Sequence, residues 1–391
     1  MLDAAKRLLM PSARSDVPPF MVMDVMAAAA RIEAAGGRVI HMEVGQPAAS
    51  APRIAIEAVR AALDGRIAYT DALGLPSLRA RIATYYEESY GIALDPSRVV
   101  VTTGSSGAFI LAFLSLFEPG ARVALANPGY PPYRHILTAL GCEPVLLQTS
   151  AATRWAMTGE MLLAAHREKP LQGLLVASPA NPTGTMMSAD ALAQLIAVAE
   201  AEGIRVISDE IYHGLDYAFP AETAVKFSDR VVVINSFSKY FCMTGWRIGW
   251  MVLPEPLVRT VERLQQNFAI SVPTLSQIAA EAAFDGRAEM DAVKHGYEEN
   301  RRILTEGLPK AGLDKFLPVD GAFYLYADIS RYSDDSFDFA SRMLQEARVA
   351  ATPGVDFDPI DGHHFIRFCY AGSASEMREA ASRLHNWLTS G

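Results

Sequence analysis

Lys239 sits where a solvated lysine is not expected. It follows the apolar run Val231-Val232-Val233-Ile234 and the pair Ser236 and Ser238, and its sequence neighbours include Phe237, Tyr240, Phe241, Met243 and Trp246. Removal from water disfavours an ammonium, lowers its pKa and leaves a nucleophilic amine that can form a Schiff base with an aldehyde. Arg247, eight positions on, joins the two serine hydroxyls as donors and positive charge suited to a phosphate. These residue types point to a phosphorylated aldehyde cofactor.

Other side chains agree with that chemistry. Asp209 closes the apolar run Ile204–Ser208, where a carboxylate held out of water calls for a positive partner, and a pyridinium nitrogen is one. Asn181, in the turn Ala180-Asn181-Pro182-Thr183-Gly184, and Tyr212, three residues past Asp209, could both reach a phenolate oxygen on such a ring. Tyr130, in Asn127-Pro128-Gly129-Tyr130-Pro131-Pro132-Tyr133, offers a stacking face. The run Val99–Thr103 leads into Gly104-Ser105-Ser106-Gly107-Ala108 and a helix, a phosphate-binding arrangement of strand, turn and helix. Each residue also has an ordinary alternative: Asp209 a helix cap, the Asn181 segment a plain turn, Tyr130 a core ring, Arg367 a surface ion pair.

The elements that must position these groups are legible from pattern. Apolar runs at 99–103, 122–125, 144–147, 173–177, 204–208, 231–234 and 248–252 alternate with helical stretches such as 189–202, which predicts a mainly parallel sheet covered on both faces. Ligands bind such sheets at the carboxyl ends of the strands, where the polar residues fall. Helices are predicted at 20–35, 52–63, 76–90, 108–117, 254–286 with an interruption near 271–273, 288–308, 337–346 and 375–388. Strands at 39–42, 322–327, 349–352 and 364–370 predict a second, smaller α+β unit, and Gly45 in Gly45-Gln46-Pro47 would let backbone approach a ligand.

Composition narrows the function class. The chain has 391 residues, half of them hydrophobic and a fifth charged, enough for more than one core. A net charge of −9 leaves no footprint for nucleic acid or an anionic membrane. Cys142, Cys242 and Cys369 are odd in number and lack CxxC spacing, and His363-His364 lacks metal-ligand spacing, so no disulfide framework and no metal are expected. A reducing cytoplasm fits, and Met1–Met10 reads as neither signal peptide nor membrane span.

In this order the motifs resemble the class I/II, aspartate-aminotransferase-like enzymes of fold type I, which use pyridoxal 5′-phosphate (PLP); the resemblance runs from Gly45 to Arg367. It implies an α/β fold, with a large domain (45–286) built on a mainly parallel seven-stranded sheet and a smaller α+β domain from both chain ends (an arm at 1–44 and 287–391). It implies Lys239 as the Schiff-base lysine, Asp209 on the pyridine nitrogen, Asn181 and Tyr212 on the phenolic oxygen and Tyr130 as the stacking ring. Ser105, Ser106, Ser236 and Arg247 would hold the phosphate, joined by Tyr69 from the neighbouring subunit of a homodimer. Arg367 would grip the substrate α-carboxylate, with Gly45 close by, and the substrates would be an amino acid and a 2-oxoacid. A β-lyase on the same scaffold and a non-enzymatic PLP-binding regulator are the alternatives; the regulator lacks room for a DNA-binding domain before Phe20. Ser106 stands where relatives that take acidic substrates often carry a lysine, and Gly107 where many have glutamine, which weakens an acidic substrate, while the apolar segment Phe20–Met23 leans towards neutral or aromatic side chains.

Overall fold

The computed structural model describes residues 8–390; residues 1–7, which hold part of the expected arm and of the Met1–Met10 stretch, lie outside the described residues. The strands are β1 (Ile40–His41), β2 (Val99–Thr102), β3 (Arg122–Asn127), β4 (Glu143–Gln148), β5 (Gly173–Ala177), β6 (Arg205–Asp209), β7 (Val232–Ser236), β8 (Gly249–Val252), β9 (Tyr324–Asp328), β10 (Val349–Ala350), β11 (Thr352–Pro353) and β12 (Phe365–Cys369).

Seven of them form one sheet in the order β2-β8-β7-β6-β5-β3-β4. All run in one direction except β8, which is antiparallel to both neighbours, β2 and β7. The strands are apolar throughout because both faces are covered. Alternate residues enter two cores: Val100, Leu125, Leu175, Ile207 and Ile234 pack with Phe109 and Phe113 on one face. Val101, Ala124, Val176, Val206 and Val233 pack with Leu78, Tyr86 and Trp250 on the other. Each such side chain contributes about 1.5–3 kcal/mol by leaving water, so slipping a strand by one residue would exchange the two cores at every position.

The second unit is built on an antiparallel sheet, β11-β12-β9, and a short parallel pair, β1-β10. The run 349–352, expected as one strand, is divided: Val349-Ala350 pairs with β1, and Thr352-Pro353 turns to pair with β12. Helices Met21–Ala34, Arg287–Gly307 and Ala374–Thr389 belong to this part, the first packing Ala29 against Val39, Leu344 and Ala350. The predicted helix at 337–346 starts at Ser336 and passes into a π-helical turn, Met343–Ala347, closed by left-handed Arg348 (φ 56°). Near the phosphate motif, the expected glycine-serine turn is the first turn of a helix, Gly104–Leu116: Gly104 takes φ +67°, so the chain bends at that one residue and Ser105 and Ser106 are already helical.

Candidate active site

Five strand ends converge. Thr102 leads from β2 into Gly104, Asn127 ends β3, Asn181 follows β5, Asp209 ends β6, and Ser236 ends β7 just before Lys239. Lys239 is partly buried and donates from Nζ to the Gly45 carbonyl at 2.7 Å. The rings of Tyr212 and Phe323 lie 5.7 and 5.9 Å from the same nitrogen. Burial in this aromatic wall lowers the lysine to about 8, with Arg367 and Arg247 adding to the shift. The shift raises the share of free amine to about a tenth at pH 7, far more than an ordinary lysine offers as nucleophile or base.

Asp209 is 2% exposed and forms no ion pair among the described residues; burial raises it to about 6, against the weaker pull of Lys239. Its Oδ1 accepts from the Ile211 amide at 3.1 Å, and its Oδ2 accepts from the Tyr133 hydroxyl. Tyr212 pairs with Tyr324 through their hydroxyls at 2.8 Å. The space beside Gly45 belongs to that tyrosine: a Cβ at Gly45 would stand 1.8 Å from the Tyr324 hydroxyl. The glycine thus makes room for a side chain of the protein.

Arg367 is 1% exposed. Its Nη1 donates to Asn181 Oδ1 at 3.0 Å, and its Nη2 to Thr352 Oγ1 at 3.1 Å and to the Glu43 carbonyl. The guanidinium lies 4.4 Å from the Tyr324 ring and 4.6 Å from that of Phe357. Its Nε has no acceptor, and among the described residues no acidic side chain pairs with it. Burying a cation without a counter-charge costs several kcal/mol, so this group is arranged to be completed by an anion. The fork geometry suits a carboxylate.

A second anion site lies at the start of the helix Gly104–Leu116. Thr103 provides no side-chain cap, the first turn holds no acid, and Arg247 covers it so closely that a Cβ on Gly104 would meet its Nη2 at 2.6 Å. Free helix amides, Ser105, Ser106 and the guanidinium together have the donors and charge that suit a phosphate. Ser236, expected there too, is 2% exposed and spends its hydroxyl on Ser238 and the Ile248 carbonyl, so it braces the loop between β7 and Lys239.

Tyr130 stands edge-on to Phe20, with ring centroids 5.9 Å apart, and to Tyr133, at 5.2 Å. Asp356 accepts from the Met21 amide at 3.4 Å, fixing the entry of the helix Met21–Ala34 beside this ring. Tyr69 stands apart: it is 79% exposed and borders a surface hollow with Ile67, Val272 and Leu275. Tyr133, Tyr324, Thr352 and Glu43 were not singled out from the sequence. Tyr133 carried a signal, since it lies three residues past Tyr130 at the opening of the helix Pro131–Ala139 and so rises from the same turn.

The donor set fits PLP: an amine for the aldehyde, a buried acceptor for the ring nitrogen, a cradle for the phosphate, and a separate cation for a carboxylate. Comparison with known proteins agrees. The family described as aminotransferase class I and II matches residues 38–384. The valine–pyruvate aminotransferase of Mycobacterium tuberculosis is 47% identical, covering 96% of this chain and 98% of that protein. The crystal structure of an aminotransferase from Mycobacterium tuberculosis superposes with a TM-score of 0.95 at 46% identity, over 98% of this chain and 100% of that one. The aspartate aminotransferase of Thermotoga maritima gives 0.89 at 30% identity, over 97% and 100%. No helix of the described residues is long and apolar enough to cross a membrane.

Proposed function

This chain belongs to the aminotransferase class I and II family and is a PLP-dependent transaminase acting between an amino acid and a 2-oxoacid; from that premise we propose which residues carry the reaction and which substrate it takes. When bound, PLP supplies the electron sink for the α-carbon. Lys239 would hold its aldehyde and would act as the general base that moves the substrate's α-proton. Asp209 would accept from the ring nitrogen and keep it protonated. Asn181, whose Oδ1 is taken by Arg367, and Tyr212 donate to the phenolic oxygen, and Tyr130 stacks on the ring. Ser105, Ser106 and Arg247 hold the phosphate, with Ser236 bracing the loop. Arg367 fixes the substrate α-carboxylate beside Gly45, and its buried, unpaired guanidinium is the observation that carries this assignment.

The donor is proposed to be a neutral aliphatic amino acid, valine foremost, with pyruvate as acceptor, the pair named for the relative at 47% identity. A cavity of about 40 Å³ bordered by Tyr130, Asn181, Trp155, Met186 and Met187 has no charged residue in its lining, and Phe20 adds an apolar edge. A second carboxylate would find no counter-charge there. Mixing the holoprotein with valine or with aspartate and following the absorbance of the bound cofactor tests this: valine converts it to the aminated form at least tenfold faster, and pyruvate reverses the change. Aspartate acting as fast as valine would overturn the neutral substrate.

The protein is further proposed to be a cytoplasmic homodimer in which Tyr69 reaches the partner's phosphate. The surface hollow in which Tyr69 lies with Ile67, Val272, Pro273 and Leu275 supports an interface, and the three unpaired cysteines suit a reducing compartment. Activity recovered on mixing Tyr69→Phe with Lys239→Ala chains is the expected sign of a shared site; a fully active monomer in sedimentation would refute it.

A further inference from the structure

We propose that Tyr133 is a positioning residue for Asp209, whose phenol holds the carboxylate as an acceptor aimed at the ring nitrogen of the cofactor. The proposal rests on reading Asp209 as the partner of that nitrogen.

Both Asp209 oxygens are engaged from the protein side, Oδ1 by the Ile211 amide and Oδ2 by the Tyr133 hydroxyl. The amide is fixed by the backbone; the phenol is fixed by packing. Tyr133 is 6% exposed, and its ring stands edge-on to Phe109 at 5.1 Å and to Tyr130 at 5.2 Å. Its rotamer freedom is already lost, so the hydrogen bond adds direction at little entropic cost.

The chemistry gives that bond a consequence. Burial drives Asp209 towards its neutral form, and the Tyr133 hydrogen bond is the first of the influences opposing it, ahead of the Ile211 amide and the charge on Lys239. Burial and the carboxylate together raise the phenol well above its ordinary range, so the shared proton stays on the tyrosine oxygen. The pair is a neutral donor and a charged acceptor. The ionisable groups facing Asp209 are Tyr133 and Tyr130 from the loop and helix after β3, Glu210 beside it in the chain, and Lys239 after β7. Without the phenol, Asp209 would tend to protonate, the ring nitrogen would lose its counter-charge, and the pH at which the bound cofactor's absorbance titrates would rise.

The test uses full-length holoprotein and three variants, Tyr133→Phe, Tyr133→His and Asp209→Asn. The expected result for Tyr133→Phe is a PLP dissociation constant raised about tenfold and a rise of about one unit in the pH at which the bound cofactor's absorbance titrates. The kcat should fall by a similar factor while KM for the amino acid stays within about threefold, because Arg367 is untouched. Tyr133→His, which restores a donor, should recover most of each change; a purely structural role for the ring would not follow the donor. A Tyr133→Phe protein that binds PLP and titrates as the parent does, while Asp209→Asn shifts both, would overturn the proposal and leave Asp209 as the ring partner. Unchanged titration in Asp209→Asn would overturn that assignment, and this proposal with it. Should the phenylalanine variant fail to fold, failure of Tyr133→His to titrate near the parent value would count against the proposal in the same way.

Discussion

Arg367 and Arg247 are both proposed to receive an anion, yet they are built differently. Arg367 is 1% exposed, donates to three acceptors and lies against two aromatic rings. Arg247 is exposed, takes a left-handed backbone with φ 50°, and donates to the Thr244 carbonyl at 2.9 Å beside an uncapped helix start. In the first, position is set by the core and the charge is desolvated, so the anion that completes it is both selected and oriented. In the second, charge is shared among a guanidinium, two serines and helix amides. A carboxylate that must be aimed for reaction calls for the first design; a phosphate that serves as a handle is met by the second.

The largest expected effect tests whether chemistry belongs to the buried side. Lys239→Ala should lower turnover on the order of 10⁴-fold or more while the phosphate cradle still binds PLP. Borohydride should then fail to fix cofactor to the protein, and retention of fixed cofactor would break the distinction at once.

Arg367→Lys comes next. A lysine keeps the charge but loses the fork and most of its three donors' geometry, so KM for the amino acid should rise about 100-fold, equivalent to ~3 kcal/mol. The PLP dissociation constant should not move; a parallel weakening of PLP would show that the two anion sites are not separate.

A third measurement asks whether the buried side stores unfavourable charge without ligand. Asp209, raised to about 6, holds its proton in the folded apo-protein where the unfolded chain has released it. Between pH about 4 and 6 the folded state binds more protons, so apo-protein stability should fall as pH rises through that window, by about 3 kcal/mol. Asp209→Asn should flatten this dependence in urea titrations, and a slope that survives the substitution would assign it to another group.

The smallest effect belongs to the exposed side. Arg247→Lys should raise the PLP dissociation constant about tenfold, ~1.4 kcal/mol, because helix amides and serines remain. KM for the amino acid should stay within about threefold, and a larger change would mean that Arg247 also orients the substrate.

Much of this arrangement was legible in sequence because a parallel sheet places its functional residues at strand ends, and Asp209, Asn181, Tyr212 and Lys239 each follow an apolar run. What was not legible has common causes. The reversal of β8 left no mark, since four residues buried on both faces show the same pattern in either direction. The division of 349–352 between two sheets depends on partners more than ten residues away in sequence, at β1 and β12. Gly104 read as a turn because glycine and serine are poor helix formers, yet an uncapped helix start is what an anion site needs. The braces of Arg367 were hidden because one is a backbone carbonyl, at Glu43, and carbonyls have no residue type to read.

That last contact also bears on how the protein is made. The guanidinium of Arg367 meets the Glu43 carbonyl across 324 residues of chain, and Lys239 meets Gly45 across 194. A growing polypeptide could form most of the seven-stranded sheet, cofactor lysine included, well before β12 exists. Until Arg367 has been synthesised and threaded beside β9, such an intermediate has no receptor for a substrate carboxylate. The proposed receptor for the substrate carboxylate is therefore the last part of the site that translation supplies, although its Glu43 partner is among the first.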